Sequence, residues 1–138
     1  MDLRRRHIIK FVFIIYLAAL LRITVFRSGF DLSNAFSGGE MNLIPFADLV
    51  KVFTEDKRTF IYLFFGNIIW FVPFGFLLKR LTNMTAGKVI LLGFGLSLFI
   101  ETMQLVFGVG VFEIDDLLLN TSGAALGAVI RRQQKNPA

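Results

Sequence analysis

From residue 60 to residue 78 the chain reads F-I-Y-L-F-F-G-N-I-I-W-F-V-P-F-G-F-L-L, without one charged side chain. A run this long and this apolar suits a helix in a bilayer, where every backbone group must be satisfied within the segment. Roughly 20 residues are needed to cross about 30 Å of hydrocarbon. Three more apolar runs share the chain. Residues 8–26 form the first and residues 89–107 the third, whose single charge is Glu101. Residues 114–130 form the fourth and shortest, which opens on Ile114, Asp115 and Asp116. A hydrophobic share of 55% with mean hydropathy +0.67 excludes an ordinary soluble domain. The expected fold is an all-α integral membrane protein, with four transmembrane helices in a small bundle and a single membrane domain over residues 1–138. With no Cys, the chain has neither a disulfide framework nor a thiolate metal site.

The net charge of +5 could point to nucleic acid, but the basic residues sit in short clusters between the apolar runs. Arg4, Arg5, Arg6 and Lys10 flank the first run; Lys79, Arg80 and Lys88 separate the second from the third; Arg131, Arg132 and Lys135 follow the fourth. Cytoplasmic loops carry the excess of Lys and Arg. Four crossings then put both termini in the cytoplasm and turn the 27–59 loop outward, and no nucleic-acid partner is expected. Basic residues before an apolar run also begin a signal peptide, but no small-x-small cleavage site follows and Arg22 interrupts the run, so a retained first helix is expected. His7 belongs to the same topology signal.

In the outer loop, D-L-S-N-A-F-S-G-G-E at 31–40 reads as irregular and turn-rich. Pro45 then suits a first helical turn, and Phe46, Leu49, Val50 and Phe53 recur at helical spacing. An amphipathic helix on the outer membrane surface is expected there; a lid over a buried site is the sharper reading.

Direction gives depth at 1.5 Å per residue. Asn67 falls roughly 10 Å below the outer boundary, Glu101 and Asn120 roughly 9 Å, Arg22 roughly 6 Å and Gln104 roughly 5 Å, with Asp116 near the surface. Polar residues from all four runs thus share the outer half of the bilayer. Glu101 and Gln104, three apart, share a helix face, as do Asp116 and Asn120, four apart. Gly123 and Gly127 continue the second face with Ala124 and Ala128, a spacing that lets membrane helices approach closely. Pro73, with Gly66 and Gly75, offers a kink beside Asn67.

An Asn within a membrane helix is often only glue between helices, and an Arg near its end often only snorkels. Asp115, Asp116 and Glu113 also suit a helix start on electrostatic grounds alone. Glu101 is the hardest to dismiss, since an intramembrane carboxyl is costly and marks a site, a proton path or a pair with Arg22 or Arg27. Glu101 and Asp116 are the candidate general acid and base. Asp115, Asp116 and Asn120 are the candidate oxygen ligands for a divalent cation such as Mg or Ca.

The pieces N-L-I-P-F at 42–46, G-N-I-I-W-F-V-P-F-G-F-L-L at 66–78, E-T-M-Q at 101–104 and F-E-I-D-D-L-L-L-N-T-S-G at 112–123 resemble, in order, the VanZ-like family of small bacterial membrane proteins. The resemblance covers roughly residues 10 to 130, and its last motif is the most specific. It implies a bacterial cytoplasmic membrane protein. It also implies a link to resistance against teicoplanin, a glycopeptide bearing a fatty chain, without rebuilding of the cell-wall precursor. The matching polar positions are Asn42, Asn67, Glu101, Gln104, Asp115, Asp116 and Asn120. Two departures stand out. The family motif usually has Asp where this chain has Glu113, and it often has a basic residue shortly before, where this chain reads G-V-G-V at 108–111. Arg22 or Arg27 is the candidate to replace that cation toward an anionic ligand.

Beside the bilayer, the implied partner is a lipid-linked cell-wall component or the lipoglycopeptide itself. The polar pocket would bind or modify it at the outer leaflet. One alternative is a metal-dependent enzyme acting on a lipid-linked phosphate or sugar; another is a structural membrane subunit whose polar residues are helix glue. Four short runs with no internal repeat argue against a monomeric transporter. The sequence leaves open whether chemistry occurs and how many copies assemble.

Overall fold

The structure is a computed structural model and describes residues 2–27, 29–36 and 38–130. Arg131, Arg132 and Lys135, the last cluster of the topology signal, lie outside the described residues. Among the described residues five α-helices and two short strands follow one another: α1 Leu3–Thr24, β1 Glu40–Asn42, α2 Ala47–Glu55, α3 Lys57–Leu81, α4 Ala86–Phe107, β2 Val111–Glu113 and α5 Ile114–Val129. Among the described residues three helices, α1, α3 and α4, are long and apolar enough to cross a membrane. Their ends extend beyond the apolar runs because the flanking basic residues are good helix formers and continue the turn: Arg4, Arg5 and Arg6 lie in α1, Lys79 and Arg80 in α3. At 16 residues α5 spans roughly 24 Å, short of a full crossing.

Local chemistry sets the ends. Asp56 caps α3, its carboxylate accepting from the Arg58 N–H at 2.9 Å and the Thr59 hydroxyl at 2.5 Å. Thr85 caps α4, and Gly108, left-handed at φ 59°, closes it with its N–H on the Leu105 carbonyl at 3.3 Å. Pro73 sits inside an unbroken α3. Gly75, instead of opening space beside Asn67, is used for packing.

Burial divides the helices by role. Leu20 is the buried residue of α1, and Phe11, Ile14 and Ile15 look outward. By contrast α5 buries Asp115, Leu117, Leu119, Asn120, Gly123, Ala124, Gly127 and Ala128. It packs most extensively on α3 and next on α4. The approach to α3 is backbone to backbone: a Cβ on Gly123 would meet the Ile68 carbonyl oxygen at 2.2 Å, one on Gly127 the Val72 oxygen at 2.0 Å, and one on Gly75 the Ala124 oxygen at 2.0 Å. The core between α1, α3, α4 and α5 is built on Leu20, Phe71, Phe74, Ile100 and Ala124.

The described residues of 31–40 are turns and irregular chain up to Glu40, as their composition predicts. Asp31 accepts from the Ser33 N–H at 2.8 Å to start a 3-10 turn over Leu32–Asn34. Strand β1 then pairs in parallel with β2, Glu40 opposite Val111, Met41 opposite Phe112 and Asn42 opposite Glu113. The long loop is thereby stitched to the connection between α4 and α5. Leu49 of α2 is buried, while Val50 and Phe53 stay exposed.

Candidate functional site

Just beneath the β1–β2 ribbon a cavity of about 70 Å³ lies among four helices. Asn67 comes from α3, Glu101 and Gln104 from α4, and Asp116 and Asn120 from α5. Leu20, Phe71 and Ile100 line it with hydrocarbon, and Ile23 and Trp70 stand at its exposed side. Helical periodicity explains the convergence. Residues three or four apart share a face, so α4 presents Glu101 with Gln104 and α5 presents Asp116 with Asn120.

Each polar side chain has a partner across a helix boundary. Glu101, 1% exposed, accepts from the Glu113 N–H at 3.1 Å through Oε2. Asp116 accepts from the Asn67 amide through Oδ1. Gln104 donates to the Thr24 carbonyl at 3.2 Å, tying α4 to α1. Asn120 donates to Ser97 Oγ at 2.9 Å, both side chains buried. Ser97 carries no charge and escapes a search for acids and amides; its signal is its place one turn before Glu101, on the face that continues to Gln104. Trp70, three residues after Asn67, is found the same way. Its carbonyl accepts from the Tyr16 hydroxyl at 2.6 Å, which ties α1 to α3.

The remaining candidates lie elsewhere. Asn42 works locally, donating to Asp48 at 2.6 Å and accepting from the Ile44 N–H at 3.2 Å. Asp115, 2% exposed, accepts from the Phe46 N–H at 2.7 Å, and its Oδ2 is buried without a partner among the described residues. Arg22 is exposed and donates to the Phe26 carbonyl. Arg27 is also exposed, and a Cβ on Gly110 would stand 3.1 Å from its Nη2, so its guanidinium lies against the 108–111 segment. The oxygens offered to a cation thus serve different partners, and among the described residues no group of three or more His, Cys, Asp or Glu could hold a metal ion.

The acids crowd at this end. Outside the helices, the Glu113 carboxyl is pushed above its ordinary range, first by burial and then by Asp48 and Asp115. The site is therefore strongly acidic, and its amides are already engaged with protein.

A family model described as VanZ/LLP1 matches residues 13–132. Protein VanZ of Enterococcus faecium is 30% identical over 119 residues, covering 82% of this chain and 66% of that protein. The chain thus spans about two thirds of that relative's length. No solved structure matches. Three apolar helices agree with a multi-pass membrane protein in a lipid bilayer. With the family model matching nearly all of the described chain, this protein belongs to the VanZ/LLP1 family.

Proposed function

We propose that this chain lowers sensitivity to teicoplanin-type lipoglycopeptides by binding or modifying an envelope component at the outer leaflet of the bacterial cytoplasmic membrane. The observation that carries this reading is the convergence of Asn67, Glu101, Gln104, Asp116 and Asn120 on one cavity in a chain of this family. Helix glue requires partners but no cavity, and a buried intramembrane carboxyl facing a cavity is a functional feature by default. In this reading the chain is one membrane domain that crosses four times. The fourth crossing is made by α5, which packs one face on α3 and α4 and leaves Leu118, Leu126 and Val129 exposed. Arg4, Arg5, Arg6, Lys79, Arg80 and Lys88 belong to the helix ends away from the cavity. The positive-inside rule then supports a cavity on the outer side and termini in the cytoplasm. Arg27, lying against Gly110, is the group that replaces the cation missing from 108–111.

The test is the inhibitory concentration of teicoplanin beside that of vancomycin in a sensitive Gram-positive host. Wild type is compared with Glu101→Gln at matched membrane abundance. Wild type is expected to raise the teicoplanin value selectively, and Glu101→Gln to return it to that of the empty host. A wild-type chain that moves neither value defeats the reading.

A further inference from the structure

The cavity offers more hydrogen-bond acceptors than donors, because Glu101 and Asp116 both line it. Gln104 gives its amide nitrogen to a backbone carbonyl and Asn67 gives its own to a carboxylate, oxygens that only accept. The nitrogen of each amide must therefore face the protein, leaving the amide oxygen and one N–H over. Asn120 donates to the Ser97 hydroxyl. Glu101 and Asp116 each have one oxygen held, by the Glu113 N–H and by Asn67, and the second oxygen of each has no protein donor among the described residues. Among the described residues the cavity lining includes no Lys or Arg. Two carboxyl groups in a largely apolar hollow are costly unless a proton or a cation offsets them. A phosphate would meet like charge and no cation. Among the described residues no group of three or more His, Cys, Asp or Glu could hold a divalent metal.

What fits is compact, positive and rich in donors, which describes a primary ammonium with its three N–H bonds. The volume agrees. About 70 Å³ is several times the roughly 10–15 Å³ that admits one water, enough for an ammonium and its adjoining methylene but not for a sugar ring. The exposed members of the lining, Ile23 at 49% and Trp70 at 43%, put the opening between α1 and α3. Their neighbours Ile69 and Phe65 are exposed hydrocarbon, so the opening faces lipid. We infer that the cavity binds a primary ammonium group entering sideways between α1 and α3, supplied by an amine-bearing phospholipid headgroup or by a free amine. This rests on the reading of the cavity as the ligand site of a membrane-embedded chain.

Trp70 is the sole tryptophan and lines the cavity, so its fluorescence reports occupancy. The full chain, purified in detergent, is titrated with short-chain phosphatidylethanolamine, phosphatidylglycerol and free ethanolamine. Phosphatidylethanolamine is expected to saturate and phosphatidylglycerol not to. Folded, monodisperse Glu101→Gln or Asp116→Asn should weaken binding about tenfold or more, the usual loss when a charged acceptor is removed. Gln104→Lys, which brings its own ammonium into the hollow, should abolish saturation; if the neutral variants do not fold, it carries the test. Ethanolamine binding as tightly as the phospholipid would support the ammonium class with a soluble source, and much weaker binding would support it with a lipid source. Equal saturation by phosphatidylglycerol, no saturation by any probe, or unchanged saturation in Gln104→Lys overturns the inference. A failed titration beside an intact, Glu101-dependent teicoplanin shift removes the ammonium assignment alone. Saturation without any shift removes the resistance reading alone.

Discussion

Glu101 and Asp115 are both buried acids, yet the fold uses them differently. Glu101 keeps one oxygen toward the cavity, whereas Asp115 holds the backbone of Phe46. Phe46 stands at φ 62°, a left-handed conformation costing a bulky residue about 1–2 kcal/mol, and the bond to Asp115 helps hold it there. Glu113 offers a pH test. Its carboxyl is raised by burial, then by Asp48 and Asp115, so the folded state prefers the protonated form. Its contribution to stability is therefore present below the free carboxyl value and lost as pH rises through the raised one. Glu113→Gln should stabilise the protein by a few tenths of a kcal/mol at about pH 7 and leave it unchanged at about pH 4. Thermal unfolding in detergent at both pH values checks this. Destabilisation at neutral pH would show instead that the Glu113 carboxylate holds a cation.

Among the elements, α5 depends most on its small residues. Adding a methyl at Gly127 drives a carbon into the Val72 carbonyl, which cannot move without shifting α3. Gly127→Ala should cost about 2 kcal/mol or more, the scale for overpacking a tight contact. Gly95→Ala, where nothing lies within 4 Å of the added carbon, should stay within about 1 kcal/mol of wild type. Comparing the two by unfolding in detergent separates a helix contact from a general intolerance of alanine; equal losses would contradict the contact. The spacing of Gly123 and Gly127 announces a close approach, since one face repeats every three or four residues. It does not announce the partner. That α3 is met, with Gly75 answering on its side, depends on how the helices are arranged around one another.

For the whole molecule, orientation is open to a direct experiment because the chain has no Cys. Under the four-crossing proposal, Thr54→Cys in the 27–59 loop should react with an impermeant maleimide in intact cells. Asn83→Cys, between α3 and α4, should react only after permeabilisation. Both positions are exposed, and the reverse pattern would invert the proposed topology. The sequence by itself determined the apolar helices, the direction their charges favour and, under the four-crossing proposal, a common depth for Asn67, Glu101, Gln104 and Asn120. These properties run along the chain, where 1.5 Å per residue turns numbering into distance. Only the tertiary structure decided which of those groups meet. Depth leaves rotation about each helix axis undetermined, so Arg22 shares the level of the cavity yet bonds the Phe26 carbonyl instead. The β1–β2 pairing, which joins Asn42 to Glu113 across the loop and three helices, is likewise invisible in the sequence. Two strands of three residues carry almost no local signal, and they pair because the helices bring them side by side.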